Sequence, residues 1–140
     1  MNQKLNGYHC PVEAALVVIG GKWKALIIWQ LKSGTLRFTE LMDRLPMVTP
    51  RMMTKQLREL EQDAVITRTV YPEVPPRVEY ALAPLGKSVV PVLDSLCVWG
   101  AEYLTSHGCP IQKKTCKNQG PKSVLREPDL QEEPVIKRRV

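Results

Sequence analysis

The fold this sequence predicts is mainly α with a small β-hairpin, a winged helix-turn-helix, and three observations point to it. Two short helical segments meet across Pro46-Met47-Val48, with Thr49-Pro50 placed as cap and first residue of the second. Two strand-like runs, residues 65–71 and 77–82, follow directly around the stiff tip Pro72-Glu73-Val74-Pro75-Pro76. Further helical segments precede and follow this unit, so the order is helices, helix-turn-helix, hairpin, helix.

The first helix is announced by Cys10-Pro11-Val12-Glu13, since proline suits the first helical position and an acidic residue there complements the helix dipole. Gly20-Gly21 ends it. A second helix is expected over residues 22–31, with Trp23, Leu26 and Ile27 at helical spacing, and Ser33-Gly34 closes it. Thr35-Leu36-Arg37-Phe38 is a short extended piece. Phe38, Leu41, Met42 and Leu45 then fall at i, i+3, i+4 and i+7, one apolar face of a third helix that Pro46 stops. The fourth helix runs from Pro50 to about residue 62. In the hairpin, Val78, Tyr80 and Leu82 alternate onto one face. The last helix covers about residues 84–105, with Pro91 inside it as an expected kink or restart. Its apolar residues, Val89, Val90, Leu93, Leu96, Cys97, Val98, Tyr103 and Leu104, cover more than one face, so it needs a partner surface. Cys97 in this stretch reads as an inert core thiol.

Residues 8–107 form the expected domain, and 108–140 read as a basic, disordered tail rich in Lys, Gln, Glu and Pro. The 140-residue chain carries a net charge of +6, but the tail supplies most of that excess. Residues 1–107 hold 12 basic and 10 acidic side chains, so any nucleic-acid partner has to be argued from local placement. The start of the chain lacks the apolar run of a secretory signal, and the most apolar stretch is broken by Gly20-Gly21, Lys22 and Lys24. The expectation is a cytoplasmic protein, with no membrane partner and with its four cysteines reduced at rest.

Function is expected to sit on the fourth helix. Projection at 100° per residue places Met53, Leu57 and Leu60 on one face and Arg51, Lys55, Arg58 and Gln62 on the other. Apolar residues would lock such a helix to its domain, while long donors reach phosphates and base edges of double-stranded DNA. The competing reading is a solvated face paired with Glu59 and Glu61. Arg77, at the end of the hairpin tip, is a candidate phosphate contact, whereas Arg68 reads better as a strand surface charge. Arg37 and Thr39, where the third helix starts, are either phosphate contacts or capping groups. Cys10, at a helix N-terminus beside His9, is a candidate redox or electrophile sensor, since that location favours the thiolate; the alternative is a cysteine that merely caps or packs. Cys109 and Cys116 with His107 lack a recognised zinc spacing and a fourth ligand, so no metal is expected. Nor is a cofactor or a catalytic constellation expected.

The motifs Cys10-Pro11-Val12-Glu13, Ile19-Gly20-Gly21-Lys22-Trp23, Leu36-Arg37-Phe38-Thr39-Glu40-Leu41, Thr49-Pro50-Arg51-Met52 and Gln56-Leu57-Arg58-Glu59-Leu60-Glu61 stand in one chain with Tyr71-Pro72-Glu73-Val74-Pro75-Pro76-Arg77-Val78-Glu79-Tyr80. With Leu85-Gly86 and Trp99-Gly100, they make residues 8–107 closely resemble the HxlR-type winged-helix regulators of bacteria, relatives of the MarR group. The resemblance implies a homodimer joined through the first and last helices, with Leu16, Leu93, Leu96, Trp99 and Tyr103 as candidate interface residues. It implies an inverted-repeat operator with each recognition helix in a major groove. It also matches Cys10 to an N-terminal cysteine that some members use as a switch, so a small-molecule or electrophile effector is a possible partner. Two positions depart from the family pattern. Ala64 stands where Gly is common, which would tighten or strain the turn into the hairpin, and Ala83 where a hydroxyl cap is common.

The expected function is therefore a DNA-binding transcriptional regulator, with Thr49 capping the recognition helix and touching phosphate. One rival is a winged helix serving as a protein-interaction module without sequence-specific DNA binding. Another is a thiol redox enzyme built on Cys10, which lacks a resolving cysteine nearby in sequence.

Overall fold

The computed structural model describes residues 7–110. The chain order is α1 (Pro11–Ile19), α2 (Lys24–Leu31), β1 (Leu36–Arg37), α3 (Phe38–Arg44), α4 (Pro50–Gln62), β2 (Ile66–Tyr71), β3 (Arg77–Leu82) and α5 (Pro84–Ser106). The architecture is mostly helical with one small antiparallel sheet, as the pattern of the sequence requires. The expected tail lies almost wholly outside the described residues, and Cys116 with it.

Local chemistry accounts for the boundaries. Pro11 opens α1, and the Glu13 carboxylate reaches back to accept the His9 backbone N–H at 3.0 Å. The second helix begins at Lys24, not Lys22, because Gly21 takes a left-handed φ of 78° and carries residues 22 and 23 into a turn. The extended piece after α2 becomes a third strand. Leu36 pairs with Tyr80 and Arg37 with Glu79, which places β3 at the centre of a sheet ordered β1-β3-β2. The hairpin register runs from Ile66 opposite Leu82 to Tyr71 opposite Arg77.

The core is one cluster. Ile27, Ile28 and Leu31 of α2 meet Leu41 and Leu45 from α3 and its end, then Met53, Leu57 and Leu60 of α4. Ile66, Tyr80 and Leu36 close it from the sheet, and Leu93 from α5. Burial holds the Tyr80 phenol above its ordinary range, with the Arg68 charge on the paired strand pulling the other way.

The end of α4 is a Schellman turn made without glycine. The Val65 N–H donates to Leu60 O at 2.9 Å and the Ala64 N–H to Glu61 O at 3.0 Å, while Leu60 and Val65 are both buried. Ala64 occupies the left-handed position at φ 58°. The strain expected at this family departure is therefore real. Ala83, the other departure, caps α5 with no side-chain hydrogen bond. One glycine in the next turn is sterically required, since a Cβ on Gly86 would lie 2.1 Å from the Val65 carbonyl oxygen.

In α5 the structure differs from two expectations. Pro91 does not restart the helix, which is continuous from Pro84 to Ser106. Only the Lys87 carbonyl loses its N–H partner, and that residue is exposed, so water can replace the bond. Cys97 is not a core thiol: it is exposed, because the helix leaves the domain surface after Leu93. The N-terminal half is tied down by Leu93 and by Lys32 of α2, whose Nζ lies 2.6 Å from Asp94 Oδ1.

Candidate nucleic-acid interface

The α3–α4 pair supplies the helix-turn-helix. Thr49 is extended and its Oγ1 accepts the Met52 N–H at 3.2 Å, so the expected cap forms and satisfies one orphan donor of α4. Every third or fourth residue of α4 is then locked inward: Met53, Leu57 and Leu60 have 1% exposure or less. That anchoring forces Arg51, Lys55 and Arg58 outward, where all three are exposed.

Arg51, Lys55, Arg58 and Gln62 line an open groove with Phe38, Pro50, Thr54 and Glu59. The solvated-face alternative required Glu59 and Glu61 to neutralise these cations. Instead, Glu59 Oε2 lies 2.7 Å from Lys24 Nζ and Glu61 Oε2 lies 3.9 Å from Arg68 Nε. Among the described residues, no ion pair ties down Arg51, Lys55 or Arg58. Long donors facing an open groove, on a helix anchored by its other side, can reach both phosphates and base edges.

Arg37 caps α3 from an extended backbone, but its side chain makes no capping bond. Thr39 is exposed in the first turn of α3. Arg77 stands at the tip end of the hairpin, opposite Tyr71. Its guanidinium carbon lies 4.1 Å from the Tyr71 ring centroid, with Nη2 3.7 Å from Glu73 and Nε 3.4 Å from Glu79. Nε is buried and makes no hydrogen bond, so the Glu79 contact is charge proximity and not a directed bond. This residue braces the wing from within.

Sequence reasoning overlooked Lys24. The signal was present, since Lys24 precedes Ile27, Ile28 and Leu31 by three, four and seven residues, on the stripe that α2 buries.

A second surface lies on α1 and α5. Leu16 (62% exposed), Leu96, Trp99 (64%) and Tyr103 are uncovered, and Trp99, Tyr103 and His107 stack in a ladder with centroid spacings of 5.5 and 4.2 Å. Leu93, expected in the same set, is 5% exposed and belongs to the protomer's own core. Cys10 is exposed at the start of α1, and its side chain makes no capping bond. Among the described residues, no group of His, Cys, Asp or Glu is placed to hold a metal. No helix among them is long and apolar enough to cross a membrane.

Comparison with known proteins decides the family. The HxlR-like helix-turn-helix pattern matches residues 18–108. The chain belongs to the HxlR-like helix-turn-helix family. An HTH-type transcriptional regulator of Methanothermobacter thermautotrophicus is 58% identical over 96 residues, covering 69% of this chain and 73% of that protein. The crystal structure of the HTH-type regulator ytcD superposes with a TM-score of 0.65 at 50% identity, covering 69% of this chain and 98% of that one. The redox regulator HypR in its oxidised form gives a TM-score of 0.64 at 45% identity, covering 66% and 96%. This HxlR-type protein is a DNA-binding transcriptional regulator with a winged helix-turn-helix, and nothing in its relatives or fold indicates an enzymatic family.

Proposed function

We propose that this HxlR-type regulator binds an inverted-repeat operator as a homodimer, inserting α4 of each protomer into a major groove. The observation that carries the reading is the anchored helix with its unpaired basic face. Met53, Leu57 and Leu60 fix its rotation, so Arg51, Lys55 and Arg58 are presented together at the groove. Thr49, Arg37 and Thr39 lie exposed at the N-terminal ends of α4 and α3, where hydroxyls, guanidinium and backbone donors suit phosphate. The apolar faces of α1 and α5 supply the surface for a second copy. The test is binding of the reduced protein to duplexes drawn from a random library, across a salt series. A preferred palindromic site, with affinity falling steeply as salt rises, is expected. Equal and weak binding to every duplex would move the protein-interaction alternative to first place.

The same reading includes Cys10 as the sensing thiol. Its exposure at a helix N-terminus supports this, as does the likeness to a redox regulator. A thiol oxidant should change operator affinity in the wild type and leave Cys10→Ser unaffected. A response that survives in Cys10→Ser would reassign the role to Cys97 or Cys109, both also exposed.

A further inference from the structure

Glu59 stands in an unfavourable place for a DNA-facing residue. It lines the same groove as Arg51, Lys55 and Arg58, where a bare carboxylate would repel the phosphates those cations attract. The helix beneath carries the counterweight. Lys24, the first residue of α2, turns its ammonium to within 2.7 Å of Glu59 Oε2. Its side chain is 11% exposed, against 29% for Glu59, so the cation sits on the domain side of the pair and the carboxylate on the groove side. Packing alone does not call for a lysine here. An apolar residue on the stripe of Ile27, Ile28 and Leu31 would avoid the desolvation that a buried ammonium suffers.

We infer that Lys24 is a positioning residue for DNA recognition. It holds the Glu59 carboxylate against the inner edge of α4 and cancels its charge, so that the groove meets the duplex as a cationic surface. The inference rests on the reading of α4 as the DNA-contacting helix. Lys24 touches no DNA; it acts through Glu59. Two other accounts of the pair make different predictions. If Lys24 only adds bulk positive charge, its removal and the removal of Glu59 should have equal and opposite effects, each independent of the other. If the pair only sets the position of α4, losing either partner, or both, should be equally harmful.

The experiment measures operator affinity and its salt dependence for the full chain in four forms: wild type, Lys24→Met, Glu59→Gln and the double variant. Methionine keeps the straight aliphatic stem of lysine, and a thermal melt establishes that each variant is folded. Lys24→Met is expected to weaken binding roughly fivefold to tenfold at low salt, the scale of one charge near a phosphate in high dielectric. Its salt dependence should be shallower than that of the wild type. Glu59→Gln alone, which frees a cation set back from the groove, should gain affinity by less than Lys24→Met loses, and the double variant should regain wild-type affinity, which a non-additive cycle registers. Lys24→Gln provides a second, polar replacement: it retains a hydrogen-bond donor for the carboxylate but no charge, and should bind nearly as weakly as Lys24→Met. A double variant as weak as Lys24→Met would overturn the inference. So would wild-type affinity in Lys24→Gln, or a Glu59→Gln gain equal to the Lys24→Met loss. If the wild type itself selects no duplex, the underlying DNA-binding reading fails, and this inference with it.

Discussion

Arg77 and Tyr71 face each other across the rung of the hairpin next to its tip, with the guanidinium carbon 4.1 Å from the ring centroid. Glu73 and Glu79 flank the same guanidinium, so one side chain connects the tip, both strands and the aromatic ring. A stacked, half-desolvated cation of this kind contributes on the order of 1 kcal/mol. Arg77→Ala should therefore loosen the wing and lower affinity for all duplexes alike, without changing the slope of log affinity against log salt. A direct phosphate contact would instead reduce that slope by about one. Measuring both the affinity and the slope separates the brace from the contact.

Arg51 lies at the start of α4, beside the capped N-terminus, and projects into the groove. Arg51→Ala is expected to cost about 1–3 kcal/mol on the preferred site and to relax base preference at one position of each half-site. Binding to a panel of single-base operator variants reads this directly. An equal loss on every variant would assign Arg51 to backbone contact instead.

The turn after α4 places an alanine at φ 58°, where glycine carries no Cβ penalty. Ala64→Gly should raise stability by roughly 0.5–1 kcal/mol, the relieved strain exceeding the added freedom of the unfolded chain. Denaturant unfolding should show a higher midpoint with an unchanged slope. DNA affinity should not move, because Ala64 lies outside the groove.

Trp99, Val12 and Leu16 are the three most exposed large hydrophobic residues of α1 and α5. Leu16→Glu combined with Trp99→Glu should convert a dimer to monomer in sedimentation or light scattering. Loss of the dimer should weaken operator binding far more than half-site binding, since the second site is then no longer held at high effective concentration. A wild type that is monomeric at micromolar concentration would remove this surface from the dimer interface.

Much of this protein was determined by local sequence. Proline at helix starts, the Thr49 cap, the glycine pair after α1 and the Pro-rich tip specify element ends through backbone geometry and orphan donors, which depend on neighbours in the chain. The amphipathic spacing of Met53, Leu57 and Leu60 likewise determined which way Arg51, Lys55 and Arg58 point. Tertiary structure decided what depends on distant partners. Leu93 and Cys97 look alike in an apolar helical run, yet one enters the core and the other faces outward, because α5 meets α2 only along its first half. Arg77 reads as a free cation until the paired strands bring Tyr71, Glu73 and Glu79 around it. Lys24 and Glu59 are 35 residues apart, and only the packing of α2 under α4 makes them an ion pair. Spacing along a chain specifies which face a side chain occupies; which charge waits across from it is a property of the assembled fold.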